Sequence, residues 1–215
     1  MEKRKVVLIG MGGHSEVVFD AIDHRKYDVV GFIDEISNKQ NIFNVPVIGN
    51  DDDIESLKSK GIEQAVVAVG HIGNWQVRDR LFIKIINSGI TPLTVIHNFA
   101  IVSPYAKIGN GTVVLAGAII NAGAQIGENC IINSGAIIEH DVKIGNNVHI
   151  APKVAVAGAS VVGDNSFIGI GSSVIQGISI GKEVIIGAGS LVIRDINDGQ
   201  IVCGVPTHSI KKESM

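Results

Sequence analysis

Two histidines and their acidic neighbours are the residues of this chain best suited to proton transfer. They lie in an otherwise aliphatic stretch, SGAIIEHDVKIGNNVHIAPK, with His140 between Glu139 and Asp141 and His149 nine positions further on. An imidazole titrates near neutral pH, so His140 can take a proton from an attacking amine or hydroxyl. A carboxylate on the other ring nitrogen would fix the tautomer and stabilise the imidazolium, a role open to Asp141 or Glu139.

Each of these two histidines could also have a purely structural role. His140 could be a surface turn residue that water satisfies, and His149 could pack in an apolar interface with no catalytic duty. No Ser-His or Cys-His pairing can be recognised, so no covalent enzyme intermediate is expected. Seven histidines without close ligand spacing predict no metal site. Cys130 and Cys203 are expected to be buried thiols in a reducing compartment.

A period of six residues positions these side chains. Every sixth residue is isoleucine or valine, 16 times in succession: Val102, Ile108, Val114, Ile120, Ile126, Ile132, Ile138, Ile144, Ile150, Val156, Val162, Ile168, Val174, Ile180, Ile186 and Val192. A second small or aliphatic residue follows each of them four places later, and glycine or asparagine often fills the turn. Each unit is thus a short strand and a corner, and three units make a coil. About five coils stack as a parallel β-helix, with His140 pointing outward at a corner.

Outward-facing residues 18 apart should align in three columns along this prism. The polar column is Lys107, Gln125, Lys143, Val161 and Ser179, and the two mostly apolar columns are Val113, Ile131, His149, Phe167, Ile185 and Ile119, Ile137, Ala155, Ser173, Leu191. Apolar stripes on a surface indicate contact with a partner, and a closed ring of three copies would cover them. The sequence therefore predicts a homotrimer.

Residues 1–96 lack the period and alternate strands with helices, which predicts a small Rossmann-like parallel sheet. The predicted strands are KVVLIG, YDVVGFID, QAVVAVG and TPLTVI, and the predicted helices are EVVFDAIDH, DDDIESLKSKG and NWQVRDRLFIKIINSG. The loop GMGGHS at 10–15 would let a diphosphate approach the backbone at a helix N-terminus. Asp34 ends the second strand, where an acid usually meets a ribose or base. Because the lobe is short and ends after four strands, a mononucleotide is favoured over a dinucleotide. Ser15 stands where the third glycine of the motif should be, and the alternative is a tight turn that binds nothing.

Composition and charge exclude several classes of function. Hydrophobic residues make up 46% and aromatic residues only 4%, so the core must be built from small aliphatic side chains. The net charge of -3 comes without a basic run, which argues against a nucleic-acid partner. The apolar stretches are too short for a membrane span, which needs about 20 residues. No signal peptide is recognised, so a cytoplasmic protein is expected.

Five ordered motifs resemble one family. IGMGGHSEVV, AVVAVGHIGNWQVRDRL, VIHNFAIVSPYAKIG, GAIIEHDVKIGNNVHIAP and CGVPTHSIKK, spread over residues 5–210, look like the bacterial hexapeptide-repeat sugar acetyltransferases. That family includes nucleotide-linked 4-amino-sugar N-acetyltransferases and sialic acid O-acetyltransferases. The resemblance implies a left-handed β-helix and a trimer. It also implies a sugar nucleotide bound in the N-terminal lobe and acetyl-CoA bound in the groove between adjacent β-helices.

The resemblance also implies roles for individual residues. They are His140 as catalytic base with Asp141 or Glu139 as its acidic partner; His149, Gly158, Gly204 and Pro206 at acetyl-CoA; and Gly10, Gly12, Gly13, His14, Asp34 and Asn133 at the sugar nucleotide. The chain departs from the family pattern in three places: His97-Asn98 replaces a His-Pro, Pro206-Thr207-His208 replaces a Pro-Ala-Lys, and His71 replaces an acidic or amide residue. The second departure bears on CoA binding and the third on the identity of the acceptor.

These observations predict a nucleotide-sugar-binding domain at 1–96 and a β-helix acetyltransferase domain with a C-terminal tail at 97–215. The predicted reaction is acetyl transfer from acetyl-CoA to the amine of a nucleotide-linked 4-amino-4,6-dideoxy sugar, for surface glycan or glycoprotein synthesis. Two alternatives stay open. One is O-acetylation of sialic acid or another sugar, and the other is a trimeric scaffold that binds a sugar nucleotide without catalysis.

Overall fold

Five short parallel strands form the N-terminal sheet of the computed structural model, which describes residues 2–35 and 43–210. They are β1 (Arg4–Ile9), β2 (Tyr27–Ile33), β3 (Val47–Gly49), β4 (Gln64–Val67) and β5 (Thr91–Pro92), in the order β3-β2-β1-β4-β5. The helices are α1 (Gly13–Ala21) and α2 (Gln76–Asn87). The order confirms the predicted Rossmann-like lobe, and its crevice lies at the carboxyl ends of β1 and β4, where the strand order reverses. The two lysines that end the motif CGVPTHSIKK lie outside the described residues.

Two predicted elements of the lobe differ from the structure, and β3 was not predicted. The segment DDDIESLKSKG forms two short 3-10 helices, Asp51–Ser56 and Lys58–Lys60, and Asn50 caps the first of them. Successive aspartates are weak α-helix formers, so a capped 3-10 turn prevails. The segment TPLTVI splits, because Leu93 N–H donates to Ala65 of the lobe while Val95 N–H donates to Thr112 of the β-helix.

Beyond the lobe, short strands stack on three faces of a prism. The face that meets the lobe, the seam face, holds Val95–Ile96, Val113–Val114, Ile131–Ile132, His149–Ile150, Phe167–Ile168, Ile185–Ile186, Ile201–Cys203 and His208–Ser209. The open face holds Ile101–Val102, Ile119–Ile120, Ile137–Ile138, Ala155–Val156, Ser173–Val174 and Leu191–Val192, and the lysine face holds Lys107–Ile108, Gln125–Ile126, Lys143–Ile144, Val161–Val162 and Ser179–Ile180. Within each stack the prism strands up to Leu191–Val192 pair in parallel, so the period of six does produce a parallel β-helix.

The interior of the prism is filled by the two predicted inward columns. The Ile and Val ladder from Val114 to Val202 is buried, together with small residues such as Ala136 and Cys130. Buried hydroxyls bond to the next coil: Ser166 Oγ donates to the Gly181 carbonyl at 2.9 Å and Ser172 Oγ to the Gly187 carbonyl at 3.0 Å. The core can therefore hold serines without leaving polar atoms unpaired.

One of the two apolar outward columns is covered by the chain's own lobe. Val113 and Ile131 are fully buried, His149 is 8% exposed, and Val95 pairs with Val113. The inference that this column faces a neighbouring copy is therefore wrong. The column on the open face stays partly exposed and continues to Ile101, which is 65% exposed. In the described part of the chain, neither helix is long and apolar enough to cross a membrane.

Candidate active site

His140 and Asp141 form a hydrogen-bonded pair at the corner between the open face and the lysine face. The distance from His140 Nδ1 to Asp141 Oδ2 is 3.0 Å, and both side chains are about two-thirds exposed. Asp141 adopts the left-handed conformation, with φ of 60°. The corner therefore presents an imidazole to the outside of the prism, as predicted.

The structure distinguishes the two candidate acids. Glu139 Oε2 accepts a hydrogen bond from the backbone N–H of His140 at 3.3 Å, whereas the His140 ring bonds to Asp141. A carboxylate only accepts, so Nδ1 carries the proton and the lone pair of the neutral ring lies on Nε2. The hydrogen bond to Asp141 raises the pKa of His140 above its ordinary value. This arrangement suits a base that receives its proton on Nε2.

Gly158 lies one coil beyond His140, against the imidazole. A Cβ atom built on Gly158 would be only 2.6 Å from His140 Nε2. The predicted cofactor residue and the predicted base are thus brought together at the same corner.

His149 lies on the seam face and connects the lobe to the β-helix. Its Nδ1 is 2.6 Å from the carbonyl oxygen of His71, and its Nε2 is 3.2 Å from Asn133 Nδ2. Because a carbonyl only accepts, Nδ1 carries the proton and Nε2 accepts from the Asn133 amide. Burial lowers the pKa of His149 to about 4, so the ring is neutral at physiological pH. His149 touches the rings of His71 and Phe167, and its predicted contact with acetyl-CoA stays a prediction.

The glycine loop forms the predicted strand-to-helix turn. Gly10 has φ of 100° and its N–H donates to the Ile33 carbonyl, while α1 begins at Gly13 with Gly12 as its N-cap. Asp34 Oδ2 accepts the backbone N–H of Met11 at 2.5 Å, so this acid braces the loop from the neighbouring strand. Asp34 therefore lies beside the loop, and its contact with a nucleotide stays a prediction.

Three histidines with lowered pKa, which we call the seam histidines, line the boundary between the lobe crevice and the seam face: His14, His71 and His149. Burial lowers the pKa of His14 and of His71 to about 3, so both are neutral at physiological pH. The described residues contain no group of His, Cys, Asp or Glu side chains arranged to hold a metal ion.

Arg78 of α2, which the sequence analysis did not single out, joins the lobe to the β-helix. It is fully buried, and its guanidinium donates to the carbonyls of Val67 and Val69 at 2.7 and 2.8 Å and to that of Asn129 at 2.9 Å. Burial lowers the pKa of Arg78 to about 10, which leaves it charged at neutral pH. The sequence does contain a sign that Arg78 is buried, because it lies on the same helical stripe as the apolar residues Leu81 and Ile85, which are buried.

The tail returns to the last coil of the open face. Leu191 N–H donates to the Gly204 carbonyl at 3.0 Å, and Thr207 N–H donates to the Leu191 carbonyl at 2.9 Å. Pro206 follows a cis peptide bond and is exposed. Gly204 and Pro206 therefore lie at the far end of the open face, several coils from His140.

Within one chain, the predicted acceptor residues and the catalytic pair lie on different corners. Asn133 follows the seam-face strand Ile131–Ile132, whereas His140 follows the open-face strand Ile137–Ile138. The open face, at most about 20 Å wide at six residues per side, separates the two corners. The seam histidines and the catalytic pair of one chain therefore lie on opposite sides of its open face.

Two protein families match parts of this chain. The PglD N-terminal domain matches residues 5–85, and the bacterial transferase hexapeptide (six repeats) matches residues 123–158 and 159–194. Comparison with curated protein sequences gives no match. Among solved structures, a histidine-to-asparagine mutant of perosamine N-acetyltransferase from Caulobacter crescentus, in complex with CoA and GDP-perosamine, is 36% identical over 97% of both chains, with a TM-score of 0.91.

A second structure leads to the same kind of enzyme. The acetyltransferase domain of PglB from Neisseria gonorrhoeae FA1090, in complex with acetyl coenzyme A, is 33% identical over 97% of this chain and 100% of that one, with a TM-score of 0.90. WeeI from Acinetobacter baumannii AYE, at 22% identity and a TM-score of 0.83, shares the fold. The predicted fold, an α/β lobe followed by a left-handed β-helix, is confirmed.

Proposed function

The chain belongs to the family of hexapeptide-repeat nucleotide-amino-sugar acetyltransferases, and on that premise we propose that it transfers an acetyl group from acetyl-CoA to the amine of a nucleotide-linked 4-amino-4,6-dideoxy sugar. The observation that carries the proposal is the His140–Asp141 pair, whose 3.0 Å bond leaves Nε2 as the base. The Caulobacter relative was crystallised with CoA and GDP-perosamine, in forms that replace one histidine by asparagine or alanine. These structures support a sugar nucleotide as acceptor and a histidine as a functional group.

The proposed reaction is direct attack on the thioester. The acceptor amine attacks the carbonyl carbon of acetyl-CoA, and His140 Nε2 takes the proton that the amine loses as the new C–N bond forms. The tetrahedral intermediate then expels the CoA sulfur, which receives that proton from the imidazolium. Asp141 stabilises the imidazolium through Nδ1. The products are the amide and free CoA, and no covalent enzyme intermediate is required because the thioester is already activated.

We propose further that the active enzyme is a trimer in which each site is shared by two chains. The open face supports this, because its outward column, Ile101, Ile119 and Ile137, stays partly exposed although it is apolar. A neighbour on that face would bring its own corner residues towards this chain's catalytic pair. The proposed site thus takes His140 from one chain and the acceptor lobe with Asn133 from the next.

The proposed acceptor site is the lobe crevice. The diphosphate would lie at Gly12 and Gly13, where α1 begins and its partial positive charge favours an anion. A Cβ atom built on either glycine meets nothing within 4 Å, so the loop has open space in front of it.

We place acetyl-CoA along the open face, from His140 and Gly158 towards Gly204 and Pro206. We propose that the enzyme acts in the cytoplasm.

The test is turnover with defined acceptors. Purified protein would be incubated with acetyl-CoA and a panel of UDP-, GDP- and dTDP-linked 4-amino sugars, beginning with GDP-perosamine, while thiol release is followed. We expect turnover with at least one amino sugar, and a loss of about 10² to 10⁴ in kcat for His140→Ala, which removes the base.

Four outcomes would contradict these proposals. If no member of the panel caused thiol release and free sialic acid was acetylated, the enzyme would be an O-acetyltransferase. Binding of a sugar nucleotide without thiol release would favour a scaffold. Full activity of His140→Ala would remove this residue from the reaction, and a monomeric mass in sedimentation would exclude the shared site.

A further inference from the structure

Gly158 leaves a gap that the His140 ring occupies. The three atoms nearest to a Cβ built on Gly158 all belong to that ring: Nε2 at 2.6 Å, Cε1 at 2.7 Å and Cδ2 at 3.1 Å. Real Cβ atoms do not approach heavy atoms to these distances, so any side chain at residue 158 would displace the imidazole.

The backbone at this position does not itself require glycine. Gly158 is not among the glycines with positive φ, unlike Gly117 or Gly177. The same corner position is alanine one coil before His140, at Ala122, and glutamine one coil after Gly158, at Gln176. The absent side chain therefore matters for the neighbouring ring and not for the turn.

A second glycine makes the matching space for the carboxylate. Gly123 lies one coil before Asp141, and a Cβ built there would collide with Asp141 Oδ1. The catalytic pair is thus enclosed between two glycines, one on each side along the prism axis. Gly123 has φ of 78°, so its replacement would also strain the backbone, and Gly158 is the cleaner residue to test.

We propose that Gly158 is a positioning residue: by having no side chain it seats the His140 imidazole flat against the next coil and keeps Nδ1 on Asp141. This inference rests on the proposed function, and it is separate from any backbone contact between Gly158 and acetyl-CoA. A side chain at 158 would swing the ring outward, because the ring is exposed and free to move in that direction. The hydrogen bond to Asp141 would then break.

The displacement has an electrostatic signature. The hydrogen bond to Asp141 is the largest cause of the raised pKa of His140, followed by weaker attraction from the same carboxylate and from Glu139. The corners packed on either side, 121–124 and 157–160, contain no ionisable side chain. Loss of the bond therefore returns the pKa of His140 towards the ordinary value of about 6.5.

The experiment compares Gly158→Ala with wild type in two ways. First, the pKa of His140 is measured by NMR titration without any substrate, with the resonance assigned from its absence in His140→Ala. We expect a lower pKa in Gly158→Ala and an unchanged melting temperature. Second, kcat is measured as a function of pH. We expect a fall of about 10-fold to 100-fold in kcat, with the acid limb moved to lower pH.

A double mutant identifies the route of the effect. In the His140→Ala background, Gly158→Ala should cause no further loss of kcat, because the ring that the new side chain would displace is gone. An unchanged His140 pKa in Gly158→Ala, or a kinetic effect that persists without the ring, would overturn the proposal. If Gly158→Ala fails to fold, the double mutant His140→Ala/Gly158→Ala should still fold. Failure of the double mutant to fold would show that the new side chain clashes with a group other than the His140 ring, which would overturn the proposal. The titration needs no turnover, so an error in the proposed function would be seen separately, as inactivity of wild type.

Discussion

Two inactive variants should restore each other if the site is shared between chains. The first, His140→Ala, lacks the base but keeps its acceptor lobe. The second, Gly12→Asp, keeps the base but places a carboxylate where the diphosphate is proposed to bind, which repels it. Gly12 is extended, with φ of -91° and ψ of -178°, and caps α1. Aspartate is a favoured residue at that position, so this variant should fold at least as well as wild type.

The expected recovery follows from the arrangement of corners. In a trimer with cyclic symmetry, each site takes its base from one chain and its acceptor lobe from the next. In a random equal mixture, a site is intact when a Gly12→Asp chain supplies the base and a His140→Ala chain supplies the lobe, which occurs at about one site in four. The unselected mixture should therefore show about 25% of wild-type kcat per chain. Mixed trimers isolated from it should show about 33%, because each of them has one intact site out of three. If base and lobe came from the same chain, every site would remain defective.

The assay mixes differently tagged variants by co-expression, isolates mixed trimers through both tags and measures thiol release with a saturating amino-sugar nucleotide. A mixture of His140→Ala with His140→Asn is the matched control and should recover nothing, since no chain in it carries the base. Mixed trimers of the test pair that are confirmed by mass and still inactive would refute the shared site, provided that Gly12→Asp alone is folded.

Three further results are expected. Asp141→Asn should fold normally, since asparagine tolerates the left-handed conformation, and should lower kcat about 10-fold with the acid limb at lower pH as the pKa of His140 falls; an unchanged pH profile would contradict the pairing. The seam histidines have lowered pKa values and are neutral when folded, so below pH 6.5 the unfolded chain binds protons that the folded chain does not. As the pH is lowered from 6.5 to 4, the free energy of unfolding should therefore decrease by about 1.4 kcal/mol per pH unit for each of these histidines. Urea titration measures this decrease, and His149→Gln should make it less steep. Arg78→Met should lower the free energy of unfolding by about 3 kcal/mol, because the Asn129 carbonyl and two lobe carbonyls lose their donor; a loss below about 1 kcal/mol would show that water replaces it.

The β-helix could be predicted from the sequence because its period is local. Each unit of six contributes the same inward isoleucine or valine, so a single register error would break the series, and the observed ladder from Val114 to Val192 is buried as expected. The corner position of His140 followed from the same register. The lobe was predicted less well, since the strand Val47–Gly49 is short and carries no pattern of its own. Its pairing with β2 depends on tertiary contacts.

The buried connection between lobe and prism could not be predicted, because it joins residues far apart in the chain. Arg78 and Asn129 are 51 residues apart, and His71 and His149 are 78 apart. A cation on the apolar stripe of α2 is a visible anomaly in the sequence, yet its partners are backbone carbonyls, which have no signature in a sequence. The choice between Asp141 and Glu139 was equally hidden, because both acids are next to His140 in the sequence and only the side-chain geometry shows which one bonds to the ring.

An apolar column on the outside of the prism indicates that the surface is covered, but it does not indicate whether the same chain or a neighbouring copy covers it. The sequence predicted two apolar columns and assigned both to neighbouring copies, whereas the lobe covers the column of Val113 and Ile131. Of these two columns, the one on the open face then remains for a neighbour. This correction strengthens the argument for a shared site, because the corners on the two sides of the open face carry Asn133 and His140. A copy that docks on that face meets both corners at once, so the same contact that buries Ile119 and Ile137 would also assemble acceptor lobe and base from different chains.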